Sequence, residues 1–184
     1  MPKAVKYAIF LGVLGIIVGA LLGLVNFITK PIIAKAEEAK VVASLNSVND
    51  QYTWKESDVE GVYRVGADDD GNIKMYVFKT TTKGYKSGDL EIMVFIAEDK
   101  IEEVIILSMT DQTKGIGTKI SNEDYLNSFK GRDVSEFYHK SSSDYNNKNS
   151  VDVISGATYS SRGLIAALIY ASDTYVDNVK GGMN

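Results

Sequence analysis

The chain has 184 residues and a mass of 20.1 kDa, with 45% apolar and 24% charged side chains, which suits one folded domain with a modest addition and excludes a disordered tail. Its 24 acidic residues against 20 basic give a net charge of -4 and a pI near 5.1, so no nucleic acid partner is expected. The absence of cysteine rules out a disulfide framework, a thiolate zinc site, a Cys-ligated iron-sulfur cluster, a c-type haem linkage and a lipid anchor on Cys.

From Tyr7 to Thr29 the chain reads YAIFLGVLGIIVGALLGLVNFIT, without a charge. As a helix this stretch would extend roughly 35 Å, against a hydrocarbon core of about 30 Å, which predicts a transmembrane anchor over residues 1–29. A cleaved signal peptide is the competing reading, because Ala34-Lys35-Ala36 imitates a small-x-small site. The apolar run is nevertheless longer than a usual signal core, and Pro31 and Lys35 sit awkwardly before that site. Lys3, Lys6 and the amino terminus face Lys30 and Lys35, which Glu37 and Glu38 offset, so the positive-inside bias puts the N-terminus in the cytoplasm. Setting Lys3 and Lys6 aside leaves 18 basic residues against 24 acidic, so the portion outside the cytoplasm would carry -6.

Helix-forming composition continues through Ala34–Val48, which predicts a helical stalk over residues 30–50 and a folded domain over 51–184. Between residues 61 and 109 the period changes to that of strands. VYRV, IKMYVFKTTT, LEIMVFIAE and IEEVIILSM are punctuated by DDDG, KGYKSGD and EDK, the pattern of an antiparallel meander packed on one face by helices. Residues 121–137 read as a helix with Ser121 or Asn122 as cap and Gly131 as stop. Residues 139–150 read as a polar loop, Val151–Ile154 as a short strand, and Ser160–Val179 as a closing helix with Leu164, Ala167, Leu168 and Ala171 on one face. The predicted class is α+β.

The stretch between that strand and that helix is Asp152-Val153-Ile154-Ser155-Gly156-Ala157-Thr158-Tyr159-Ser160. A helix start offers unpaired N–H groups and the positive end of the macrodipole, which suits an anion such as a phosphate. Gly156 can adopt a positive φ, and Ala157 leaves the approach to the Thr158 hydroxyl open. On physical grounds alone, a Ser-capped helix that binds nothing explains the same residues.

Asp152-x-x-Ser155-Gly156-Ala157-Thr158 is similar to the signature at which a flavin transferase joins flavin mononucleotide (FMN) to a threonine through a phosphoester. Upstream, Gly84-Tyr85-x-x-Gly88, the paired strands after it and Gln112-Thr113-Lys114-Gly115-Ile116-Gly117 resemble the FMN-binding domain of two families. These are the G subunit of Rnf-type electron transport complexes and the C subunit of sodium-translocating NADH:quinone oxidoreductase. The resemblance implies covalent FMN on Thr158, an anion held by amides near Ser160, and a loop of Thr113, Gly115, Ile116 and Gly117 against the flavin ring. Arg162 or Lys114 would add a counter-charge. It also implies a Mg²⁺-dependent flavin transferase for maturation, because nothing near Thr158 in sequence supplies an obvious base such as His, and other membrane redox subunits as partners. Covalent retention suits a cofactor carried outside the cytoplasm, where a dissociated flavin would be lost. One departure stands out: where the family often shows His-x-Glu-Thr-Pro-Gly-Leu-Gly, this chain has Thr110-Asp111-Gln112-Thr113-Lys114-Gly115-Ile116-Gly117.

Other features are set aside. Asp68-Asp69-Asp70-Gly71 would need a bidentate Glu at the twelfth loop position for calcium and has Lys79 there, so it reads as a hairpin turn. His139, the one histidine, has no Cys or second His beside it. The expectation is a membrane-anchored electron-transfer flavoprotein with no catalytic residue and no metal of its own. A stand-alone extracellular flavoprotein feeding a reductase and a non-redox anchored binding domain remain as alternatives.

Overall fold

The computed structural model describes residues 2–85, 88–141 and 153–181, and forms two compact units, residues 1–43 and 44–184. A 46-residue helix, α1 (Lys3–Val48), opens the chain; it is long and apolar enough by length and composition to cross a membrane. Pro31 lies inside it and removes one backbone donor, while the Thr29 hydroxyl donates to the Val25 carbonyl one turn earlier.

Within the second unit, five antiparallel strands follow in chain order: β1 (Thr53–Glu56), β2 (Arg64–Ala67), β3 (Ile73–Lys83), β4 (Asp89–Ala97) and β5 (Lys100–Met109). Each strand pairs with the next, the meander that the apolar runs predict, with β1 added at its edge. The β2–β3 turn is closed by Asp68, which accepts from the Asn72 N–H at 2.8 Å, so the acidic run builds a hairpin turn. Among the described residues no group of His, Asp and Glu could hold a metal.

Alternation along β4 sorts the core into two faces. Leu90, Ile92, Val94 and Ile96 are fully buried with Phe78, Ile101 and Val104 beneath the closing helix, α3 (Thr158–Thr174), which supplies Leu164, Ala167, Leu168 and Ala171. Each of the larger side chains among these, the two alanines aside, contributes roughly 1.5–3 kcal/mol through removal from water. On the other face Met93, Phe95 and Val77 are also fully buried, and Trp54 of β1 stands edge-on to Phe95 at 6.1 Å between centroids. A one-residue slip would exchange these two sets, so the register Val77 to Phe95 and Phe78 to Val94 is strongly fixed.

The expected helix over residues 121–137 does not form as one element. Asn122 caps α2 (Glu123–Asn127) by accepting from the Asp124 and Tyr125 amides, as expected, but α2 ends after five residues. The chain then turns back to the start of β5, where the Gly131 N–H donates to the Ile101 carbonyl (2.7 Å) and the Ile101 N–H to the Arg132 carbonyl (2.9 Å). Burying Phe129 and Phe137 together requires this fold-back, and a separate 3₁₀ turn, Val134–Glu136, capped by Asp133, completes it.

The closing helix begins two residues earlier than expected and runs into a π-helical turn, Tyr175–Val179. That turn is fastened to the β4–β5 hairpin: the Tyr175 hydroxyl donates to Asp99 Oδ1 at 3.0 Å and Lys180 Nζ to Asp99 Oδ2 at 2.7 Å. Of the expected strand Val151–Ile154, residues 153 and 154 are not in a strand and the first two lie outside the described residues, as does most of the expected polar loop.

Candidate functional site

Three segments meet at one end of the sheet: the turn after β3, the loop after β5 and the first turn of α3. The first is closed by the Gly84 N–H to the Gly88 carbonyl (2.9 Å) and the Gly88 N–H to the Tyr85 carbonyl (3.0 Å). In the second, the Thr113 carbonyl accepts from the amides of Ile116 and Gly117 at 3.1 and 2.8 Å, and Gly115 N–H donates to the Thr118 hydroxyl at 2.9 Å. Gly115 has a φ of +76°, which a side chain would strain.

The third is a helix start without a cap. Ala157 occupies the N-cap position and no side chain accepts from the first turn. The first backbone bond is Ser161 N–H to the Ala157 carbonyl at 2.9 Å, so the amides of Thr158, Tyr159 and Ser160 are the orphan donors of α3. The Ser-capped reading fails here because the N-cap position falls on Ala157, which has no capping side chain, and Ser160 and Ser161 lie inside the helix with partners of their own. Ser160 donates its hydroxyl to Gln112 Oε1 at 2.6 Å, and Ser161 Oγ accepts from the Ile154 N–H at 3.1 Å. Before the helix, Ala157 N–H closes a turn on the Ile154 carbonyl with Gly156 at φ +83°.

These segments enclose a cleft of about 370 Å³ lined by Tyr85, Thr113, Ile116, Gly117, Gly156, Ala157, Thr158, Tyr159 and Ser160, within the size range of small-ligand sites. Of the expected site residues, the fold brings Thr113, Ile116, Gly117, Gly156, Ala157, Thr158 and Ser160 into one wall. Ser155 is exposed in the turn and Gly115 in the loop, outside the lining, and Asp152 lies outside the described residues. Lys114 and Arg162, the expected counter-charges, do not line the cleft; the buried Arg162 Nε has no hydrogen-bond partner. An anion there would rest on orphan amides and the helix dipole instead of on a cationic side chain.

Sequence reasoning missed Tyr85 and Tyr159 as lining residues, whose rings stand 6.3 Å apart at 56° beside the half-exposed Ile116. Tyr85 sits within the Gly84-Tyr85-x-x-Gly88 pattern, and that was the available signal. Among the described residues, which do not include Asp152, no carboxylate and no histidine lines the cleft.

The residues present fit FMN. A mostly apolar wall of Ile116, Ala157 and the tyrosines suits a flat ring, free amides suit a phosphate, and open space before the Cα of Gly156, where an added Cβ would have only Ile116 Cγ2 within 4 Å at 3.9 Å, leaves room between.

Comparison with known families agrees with this geometry. The family model of the FMN-binding domain matches residues 84–173, from the turn after β3 almost to the end of α3. A second, the RnfG N-terminal region, matches residues 1–48, the whole of α1. No curated protein and no solved structure matches the chain. With only residues 49–83 and 174–184 outside the two matches, the comparisons support an RnfG-like FMN-binding protein.

Proposed function

We propose that this protein is a membrane-anchored electron carrier that holds FMN covalently on Thr158 through a phosphoester and serves as a subunit of an Rnf-type electron transport complex. In this reading residues 1–29 are the anchor, 30–50 the stalk and 51–184 the domain on the extracytoplasmic face. The observation that carries the reading is the position of Thr158: a hydroxyl on the first residue of an uncapped 17-residue helix, in the wall of an apolar cleft.

When bound, FMN supplies one- and two-electron transfer. The chain's own residues bind, orient and shield it. The amides of Thr158, Tyr159 and Ser160 hold the phosphodiester charge, and the Thr158 Oγ fixes its place. Ile116, Ala157, Tyr85 and Tyr159 would pack against the flavin and shield it from water, and the cleft is open to solvent on its other side. A separate flavin transferase would form the ester from an activated flavin dinucleotide, the phosphoanhydride bond breaking as the nucleoside monophosphate leaves, because a threonine hydroxyl needs a base and none lines the cleft among the described residues.

The deciding experiment is production of the full chain beside a flavin transferase, followed by intact mass and in-gel flavin fluorescence after denaturation. The wild type should carry one FMN adduct and Thr158→Ala none. A wild-type chain of unmodified mass under those conditions refutes covalent attachment, and an adduct persisting in Thr158→Ala moves it to another residue. Complex membership is tested by whether the tagged chain co-purifies with other membrane redox subunits.

A further inference from the structure

Gln112 stands at the centre of the three segments that form the cleft. Its Oε1 accepts from the Ser160 hydroxyl of α3 at 2.6 Å and from the Tyr85 N–H of the turn after β3 at 3.2 Å. Its Nε2 donates to the Thr110 carbonyl, at the start of its own loop, at 2.9 Å. Gln112 packs against three glycines: it is what a side chain on Gly84 would meet first, while at Gly88 the Thr110 carbonyl and at Gly117 the Ser160 hydroxyl (3.0 Å) stand closer still. A Cβ on Gly84 would lie 2.7 Å from Gln112 Nε2, one on Gly88 2.9 Å from the same atom, and one on Gly117 3.3 Å from Oε1.

We propose that Gln112 is the positioning residue of this flavin site, a clasp joining the turn of Tyr85, the Ile116 loop and the start of α3, and that the clasp needs a neutral side chain that both donates and accepts. The role toward flavin rests on the reading of Thr158 given above. The clasp uses one donor and one acceptor of the same side chain. An ionised carboxylate accepts but cannot donate, so at this position it would set an anionic oxygen against the Thr110 carbonyl. It would also bring a negative charge to Ser160, the third residue of α3, where it competes with a phosphate for the positive helix end. A protonated carboxyl restores the donor. Glutamine holds both the donor and the acceptor at every pH.

Two measurements test the clasp. In the full chain made without the transferase, amide hydrogen exchange at Tyr85 reads the clasp with no flavin present. Gln112→Ala should speed it roughly tenfold, the loss of one hydrogen bond. Gln112→Glu should match the wild type at a pH near 4 and exchange faster than the wild type at the same pH near 8. In the loaded protein, the flavin midpoint potential of Gln112→Glu should show a step with pH, relative to the wild type, at the titration of the new carboxyl. Tyr85 exchange in Gln112→Ala equal to wild type, or Gln112→Glu tracking the wild type at every pH, overturns the proposal. A wild-type chain that takes no flavin overturns the reading of Thr158 and the role of Gln112 toward flavin, while the exchange data still judge the clasp.

Discussion

Thr82 of β3 donates its hydroxyl to the carbonyl of Gly163 in α3 at 2.7 Å, across 81 residues of sequence. This bond lies one turn beyond Thr158, so the sheet fixes where the helix starts and where its orphan amides point. Close approach depends on Gly163 lacking a side chain: a Cβ there would lie 2.7 Å from the Lys83 carbonyl oxygen and 2.6 Å from Leu90 Cδ1. Gly163→Ala gains ~1 kcal/mol of helix propensity. Overpacking against backbone and a fully buried leucine costs up to ~3 kcal/mol. The net expectation is a destabilisation of ~1–2 kcal/mol by urea unfolding, with a reduced fraction of flavinylated chain. Stability equal to wild type would show that α3 can slide without cost.

Ile116 separates binding from stability. It is 47% exposed, lines the cleft, and is absent from the buried core. Ile116→Ala should therefore change unfolding free energy by under ~1 kcal/mol. The loaded protein should nonetheless become more accessible to a soluble flavin quencher such as iodide, because the truncated side chain no longer covers the ring. Unchanged quenching would place the ring elsewhere in the cleft.

Alkaline pH should loosen the far end of the closing helix. Burial, then the hydrogen bond to the Asp99 carboxylate, push the Tyr175 phenol from 10.0 up to about 12. A phenol with a raised folded pKa keeps a proton that the unfolded chain has lost, so its contribution is intact below pH 10 and declines as pH rises toward 12. The decline approaches ~1.4 kcal/mol per pH unit inside that window. Tyr175→Phe should cost ~1 kcal/mol at neutral pH, since Asp99 is partly exposed, and should show a shallower loss between pH 10 and 12. Parallel alkaline curves for the two proteins would show that Tyr175 is not the titrating group.

What was legible in the sequence was the periodic part. The runs IKMYVFKTTT, LEIMVFIAE and IEEVIILSM become β3, β4 and β5, and Leu164, Ala167, Leu168 and Ala171 form the buried stripe of α3. β1 escaped because TWKE is four residues long with one half-buried position, Trp54. The helix expected at residues 121–137 carries helical local preferences, but pairing of Gly131 and Arg132 with Ile101 overrides them, and such pairing is set by tertiary contact. The wall of the cleft could be read from Gly156, Thr158, Ile116 and Gly117, although Gly115 of the same loop stays outside it. The commitment of the Ser160 hydroxyl to Gln112 spans 48 residues and has no local signature.

Orientation in the membrane can be tested because the chain has no cysteine. The amino-terminal flank carries Lys3 and Lys6, whereas Lys30 and Lys35 are offset by Glu37 and Glu38, so the bias toward a cytoplasmic N-terminus is modest and an experiment is informative. Single cysteines at Lys3 and at Asp69, an exposed position in the β2–β3 turn, place a reporter on each side of α1. With an extracytoplasmic domain, a membrane-impermeant maleimide added to spheroplasts labels Asp69→Cys and leaves Lys3→Cys unlabelled until the membrane is lysed. The reverse pattern would put the domain in the cytoplasm and remove the argument that FMN is tethered to prevent its loss. A chain lacking residues 1–29 should leave the membrane fraction, whereas the full chain should resist carbonate extraction, because an uncharged stretch long enough to span about 30 Å of hydrocarbon does not partition into water.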